Sequence, residues 1–165
     1  MGGYHLIVLA KNYNGYKNLI KLVSRAWVDG YYMRPRTDRA DLEKYHEDLI
    51  VCSACIAGEV PAKILKGDME GAREAIEWYH RVFGDDYYLE LQRHRVTNPH
   101  QRANRETYPL QVRANKALME LAEEYGIKRT PRPTTICSVC LRARTSTTLT
   151  VCSIQSRSGL RRARR

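Results

Sequence analysis

The sequence predicts an α/β architecture for residues 1–127, followed by a basic tail of different character from 128 to 165. Three observations carry this. Short apolar runs of strand length alternate with amphipathic stretches at helical spacing. Residues 1–127 hold all fourteen aromatic residues and equal numbers of acidic and basic side chains, eighteen of each. The whole formal charge of +10 therefore lies in the tail, where ten Lys and Arg residues stand without a single Asp or Glu. A chain of 165 residues can bury the core of one ordinary domain.

The elements follow in order. Tyr4 to Ala10 (YHLIVLA) is an apolar run that reads as a buried strand. KNYNGYKNLIKLVSRAWVDG comes next, with Tyr16, Leu19/Ile20, Val23 and Ala26/Trp27 recurring at helical spacing as its core face, and Gly30 placed to end it. YYMRPRTD reads as a loop, Asp41 to Tyr45 as a short helix, and Asp48 to Ser53 (DLIVCS) as a second strand. Pro61 to Leu65 opens a helix. Asp68 then caps a longer one whose core face is Ala72, Ala75/Ile76, Tyr79 and Val82/Phe83. Asp86 to Gln92 alternates like a strand. The polar loop RHRVTNPHQRANRET leads to a long helix with Val112, Leu118, Leu121/Ala122 and Tyr125 in a stripe and Gly126 at its end. A parallel design calls for another buried strand after Gly126. Ile127 and Lys128 begin one, but RTPRPTTIC does not continue it.

No apolar run approaches the roughly 20 residues that a membrane span requires. Cys52 and Cys55 stand in a neutral segment that argues against a disulfide framework and for a cytoplasmic setting. The tail also holds Cys137-x-x-Cys140 and Cys152. A structural zinc site needs four ligands, and three cysteines without a histidine do not supply them. Without aromatics or an apolar period, the tail is expected to be disordered, with charge that attracts DNA or RNA non-specifically.

The runs YHLIVLAKNYNGYKNLIKLVSRAWVDGYYMRPRTD, DLIVCSACIAGEVPAKILKGD and FGDDYYLELQRH, with the helix ending LMELAEEYGIK, resemble the PHP (polymerase and histidinol phosphatase) domain of bacterial DNA polymerase III alpha subunits. The resemblance covers roughly residues 4–128 in order. It implies a distorted β/α barrel, incomplete here, with a metal cluster at the C-terminal ends of its strands. It implies zinc or manganese at that site, and magnesium in a palm domain that this chain lacks. DNA, deoxynucleoside triphosphates, a proofreading subunit and the sliding clamp are the partners it implies, with no membrane. Of the metal ligands, an early His-x-His would precede Met1. His5, opening the HLIVLA strand, and Cys55, in the turn after DLIVCS, match the middle ones. A last Asp-x-His, due after the long helix, is missing from the tail as written.

Imidazole and thiolate are good ligands for zinc-class ions. The competing readings are a hydrogen-bonded histidine at a strand edge and a small buried cysteine. Cys52 points the opposite way along its strand and is assigned to the core. RHRVTNPHQR, with His94 and His100, is either a phosphate-contacting loop or a solvated one.

Alternation, charge, aromatics and family likeness all break together near residue 128, which points to a shifted reading frame. Pro131 to Ile136 can be written with the permitted codons CCG CGA CCG ACA ACC AT, and read from the third base these give Ala-Thr-Asp-Asn-His, which resembles the missing Asp-x-His. The same shift over Ala143 to Leu149 permits an acidic segment similar to that family's. The chain is thus expected to be a fragment of the polymerase subunit. The alternatives are a non-catalytic PHP scaffold that docks a proofreading subunit and a free-standing PHP phosphoesterase.

Overall fold

A computed structural model describes residues 3–95, 98, 100–131, 139–144 and 148–152, and side chains only as far as residue 130. The chain begins with β1 (Gly3–Ala10), α1 (Tyr13–Val28), β2 (Arg36–Asp38), α2 (Arg39–Lys44) and β3 (Leu49–Cys52). It continues through α3 (Glu59–Lys66), α4 (Met69–Phe83), β4 (Tyr87–Leu91) and α5 (Tyr108–Glu124) to β5 (Lys128–Pro131), β6 (Val139–Arg144) and β7 (Thr148–Cys152). The strands form one mixed sheet in the order β2-β7-β6-β1-β3-β4-β5.

Helix boundaries follow local chemistry. The Asn12 side chain accepts from the backbone N–H of Asn14 and Gly15 at the start of α1. Asp38 does the same for Asp41 in α2, and Asp68 for Gly71 in α4. α3 starts two residues before the predicted Pro61 and ends at Gly67, whose φ of 83° is the left-handed conformation glycine tolerates. α5 emerges from a wide π-type turn at Ala103–Thr107.

The main core lies on one sheet face, where Leu6, Val8, Leu49, Val51, Tyr87 and Leu89 meet α1, α3, α4 and α5. The opposite face carries a smaller cluster of Ile7, Cys52 and Ala54. Cys52 is thus buried as expected, beneath this second face. Because strand residues alternate between faces, His5 shares it with Ile7, and Glu90 shares it with Tyr88.

Besides β1, which pairs antiparallel with β3 where the sequence predicts a parallel design, four features differ from the sequence reading. The inward face of α1 is Gly15, Leu22 and Ala26, while Tyr16, Ile20 and Trp27 are about half exposed. Gly15 decides this, because a Cβ there would stand 2.1 Å from the Asp48 carbonyl oxygen, and only the bare backbone fits so close to the chain entering β3. In α5, Val112 is exposed and the polar Gln111 and Asn115 take buried positions beside Ala114 and Leu118. Arg36–Asp38, read as loop, is a short strand.

The tail is the fourth. Its described residues form strands instead of disordered chain. β5 runs parallel to β4 with Tyr88 opposite Lys128, and β6 pairs antiparallel with β1 and with β7. The physical reason is twofold. LRAR does alternate apolar and charged residues at strand spacing, and the second edge of β1 offers unpaired backbone groups. Cys140 and Cys152 are Cα partners across β6 and β7. Residues 132–138, with Cys137 and the segment where the Asp-x-His is expected, lie outside the described residues. Among the described residues no helix is long and apolar enough to cross a membrane.

Candidate metal centre

His5 and Cys55 are fifty positions apart in sequence, and the sheet brings them together. His5 lies near the start of β1, whereas Cys55 follows the end of β3. The two strands are antiparallel, with Ile7 opposite Cys52, so the start of one and the end of the other share one edge of the sheet. His5 Nδ1 is 3.1 Å from Cys55 Sγ. Cys55 thus lies past the C-terminal end of its strand, while His5 arrives on a strand of reversed direction.

The turn that carries Cys55 is tight. Ala54 sits at φ 62°, a left-handed conformation unusual for a residue with a side chain. The Gly58 backbone N–H donates to the Cys55 carbonyl at 2.7 Å, and the His5 N–H to the Ala57 carbonyl at 2.9 Å. A Cβ on Gly58 would lie 2.0 Å from the Ser53 carbonyl oxygen, so a residue without a side chain is needed there. The Ala57 N–H points at Cys55 Sγ from 3.4 Å.

Cys52 differs. Burial, reinforced by the Glu90 carboxylate, pushes its thiol up to about 12. It stays protonated near neutrality and is a packing residue. The two cysteines of one short segment are thus chemically distinct.

Beside Cys55 lies a small cleft, with about 10 Å³ of room, closed by Glu90, Gln92, Gln111 and Asn115. All four are buried. Gln92 Nε2 donates to Glu90 Oε1 at 2.6 Å, and Asn115 Nδ2 donates to the Gln92 carbonyl at 2.9 Å. The Glu90 N–H donates to Ser53 Oγ at 2.9 Å, which ties β4 to the Cys55 turn. Sequence periodicity missed Gln111 and Asn115. The available signal was a polar residue at helical spacing within an otherwise apolar row. His94 and His100 are both exposed, and His94 is bonded to Gln111 whereas the His100 N–H turns back to Asn98 Oδ1.

Two tetrahedral ligands at bond lengths of about 2.1 Å for nitrogen and 2.3 Å for sulfur stand about 3.6 Å apart. The 3.1 Å separation in this structure is a hydrogen bond that opens by about 0.5 Å to admit such an ion. The donor types and their spacing fit half of a metal site. Among the described residues no group of three His, Cys, Asp or Glu side chains is placed to hold an ion.

The PHP domain profile matches residues 2–94. The DNA polymerase III subunit alpha of Borreliella burgdorferi is 46% identical over 127 residues, covering 77% of this chain and 10% of that protein. Its counterpart in Deinococcus radiodurans is 36% identical over 126 residues, covering 76% and 8%. That of Treponema pallidum is 46% identical over 92 residues, covering 55% and 8%. The chain spans about a tenth or less of the length of these curated relatives. With a strand-end histidine and a turn cysteine in contact on an α/β sheet, and a profile match over more than half its length, the chain belongs to the PHP domain family.

Proposed function

We propose that this chain is a portion of the PHP domain of a replicative DNA polymerase alpha subunit, and that His5 and Cys55 are two ligands of its divalent metal site. The observation that carries the reading is the 3.1 Å approach of His5 Nδ1 to Cys55 Sγ at one sheet edge. Zinc or manganese suits an imidazole–thiolate pair. When bound, the metal would activate water and stabilise the leaving oxygen in hydrolysis of a DNA 3′ end. The residues of this chain hold the two donors in register: Gly58 and Ala57 fix the turn, and the antiparallel β1 delivers His5.

Polymerisation from deoxynucleoside triphosphates, with magnesium, belongs in this reading to parts of the longer polymerase. The proofreading subunit and sliding clamp are its further partners. Two donors do not complete a catalytic site, so residues 1–165 alone are expected to show neither polymerase nor nuclease activity. Metal-dependent hydrolysis of a DNA 3′ end that disappears in His5→Ala would sink that expectation.

Cobalt(II) titration of the full chain tests the ligand pair. A thiolate-to-cobalt charge-transfer band that is lost in Cys55→Ser and weakened in His5→Ala supports it. A band unchanged by both substitutions, arising from the tail cysteines, refutes it. A docking scaffold without chemistry would show no band at Cys55 at all.

The reading also takes the chain from 128 onward as out of frame. Its support is that the aligned lengths of 126 and 127 residues in two relatives equal the stretch before the tail to within a residue or two. Sequencing the source DNA across the codons for Gly126 to Ile136 decides it. A missing or extra base restores the Asp-x-His, and an intact frame overturns this part of the reading.

A further inference from the structure

The loop after β4 leaves the sheet at the edge that carries His5 and Cys55, and its first residues, Arg93, His94 and Arg95, are exposed. One of them is held from below. Gln111, only 2% exposed on α5, accepts the His94 backbone N–H on Oε1 at 2.8 Å. Its Nε2 lies 2.6 Å from His94 Nδ1.

These two contacts fix the ring's proton. A backbone N–H can only donate, so the carboxamide oxygen must face it. The NH₂ group is then left facing the ring, and it too can only donate. Nδ1 is therefore the acceptor, and the neutral imidazole carries its hydrogen on Nε2, on the ring edge directed away from Gln111. A solvated loop histidine needs no such arrangement. Here a buried carboxamide, in the wall of the same cleft as Cys55 and Glu90, has its oxygen and its nitrogen both on one exposed histidine.

An outward N–H donor on a residue with an arginine before and after it in sequence suits a phosphate oxygen. We infer that His94 is a phosphate-binding residue: its Nε2–H, oriented by Gln111 and flanked by Arg93 and Arg95, donates to a phosphate oxygen at the 3′ end of a DNA strand. The inference rests on the proposed reading for the identity of the strand, but not on metal binding. Gln111 acts as a positioning residue.

The test uses the labelled full chain with thymidine 3′-monophosphate as probe, thymidine as control, and EDTA throughout. Nitrogen-detected NMR at about pH 8 should show the Nε2–H tautomer for His94. That signal should shift with the monophosphate and not with thymidine. His94→Leu, at an exposed position that leaves folding intact, should weaken binding about tenfold. His94→Gln, which keeps an N–H near the Nε2 position, should restore most of it, and Gln111→Leu should give mixed tautomers. EDTA removes metal from every measurement, so loss of metal binding and loss of this site are read separately. An Nδ1–H tautomer in the parent chain, or equal binding by His94→Leu, overturns the inference.

Discussion

Replacing Glu59 tests whether the turn carrying Cys55 is anchored as the structure indicates. Glu59 opens α3 directly after Gly58, and its carboxylate is 6% exposed. Oε1 accepts from Arg39 Nη2 at 2.8 Å and faces Lys63 Nζ at 3.6 Å, while Oε2 accepts the Tyr79 hydroxyl at 3.1 Å. Glu59→Ala strands these three donors unequally. Tyr79 is buried and loses its acceptor, which costs about 1–3 kcal/mol. Lys63 keeps the Gly71 carbonyl at 3.0 Å, and Arg39, 29% exposed, keeps water and the face of Trp78. The expected loss is therefore about 2–4 kcal/mol, at the lower side of the range for breaking a buried pair. Glu59→Gln retains the shape and one acceptor and should cost about 1–2 kcal/mol. Tyr79→Phe made together with Glu59→Ala removes the orphaned hydroxyl, so the two should couple by about 1–2 kcal/mol. Urea denaturation followed by tryptophan fluorescence measures the parent chain, these three variants and Tyr79→Phe alone, with Trp78 close to the site. A loss below about 1 kcal/mol for Glu59→Ala, with no coupling, would show the carboxylate to be solvated and the anchoring argument wrong.

Iodoacetamide at about pH 8 should modify Cys55 and leave Cys52 untouched in the folded chain, as read by peptide mass spectrometry; equal labelling refutes the difference in their surroundings. Cys52 keeps its proton up to about 12 when folded but loses it near 9.0 when unfolded, so its contribution is intact below 9.0 and fades as pH climbs between the two. Buried Tyr79 and Tyr87, both raised well above 10.0, add the same sign, and alkaline unfolding should begin in that window and be blunted in Cys52→Ala. Tyr87→Phe should be neutral or stabilising by up to about 1 kcal/mol, because its buried hydroxyl has no partner among the described residues while its ring stacks on Tyr79 at 5.1 Å. Gly58→Ala should destabilise by about 1–3 kcal/mol and displace Cys55, seen as loss of the cobalt–thiolate band, since the new Cβ meets the Ser53 carbonyl.

The alternation of strands and helices was legible because both periods are strong in this chain. Asp68 and Gly126 marked their helix ends correctly, since a side-chain acceptor and a left-handed glycine (φ 64°) are local devices that need no tertiary partner. The inward face of α1 was legible in part: Ala26 is buried and Leu19 and Val23 pack against the core, whereas Gly15 and Leu22 were missed. Its helix carries two adjacent apolar rows, and spacing alone does not rank Tyr16–Ile20–Trp27 against Gly15–Leu22. A glycine looks like a weak core residue by hydropathy, yet here it marks the closest backbone approach. Gln111 was lost for the opposite reason: its polarity disqualified it from the core face, although a buried carboxamide with two fixed partners is at home there.

The candidate site shows where resemblance and physics each stop. His5 and Cys55 came from family likeness, and nothing in their spacing says that they meet. What joins them is the direction of β1, which alternation cannot reveal: a strand–helix–strand pattern reads as parallel, while these two strands pair antiparallel. That reversal has a consequence for the whole sheet. β3, β4 and β5 run parallel, so their C-terminal ends share an edge, and only the N-terminal end of an antiparallel β1 can reach it. Cys55 and the Gln92–His94 stretch therefore emerge at the edge that His5 reaches. β5, after which a restored frame would place Asp-x-His, ends at this edge too, two strands from β3. Correcting the frame and completing the ligand set are then one experiment: the corrected chain should bind cobalt more tightly than the chain as written, and equal affinity would detach the tail from the site.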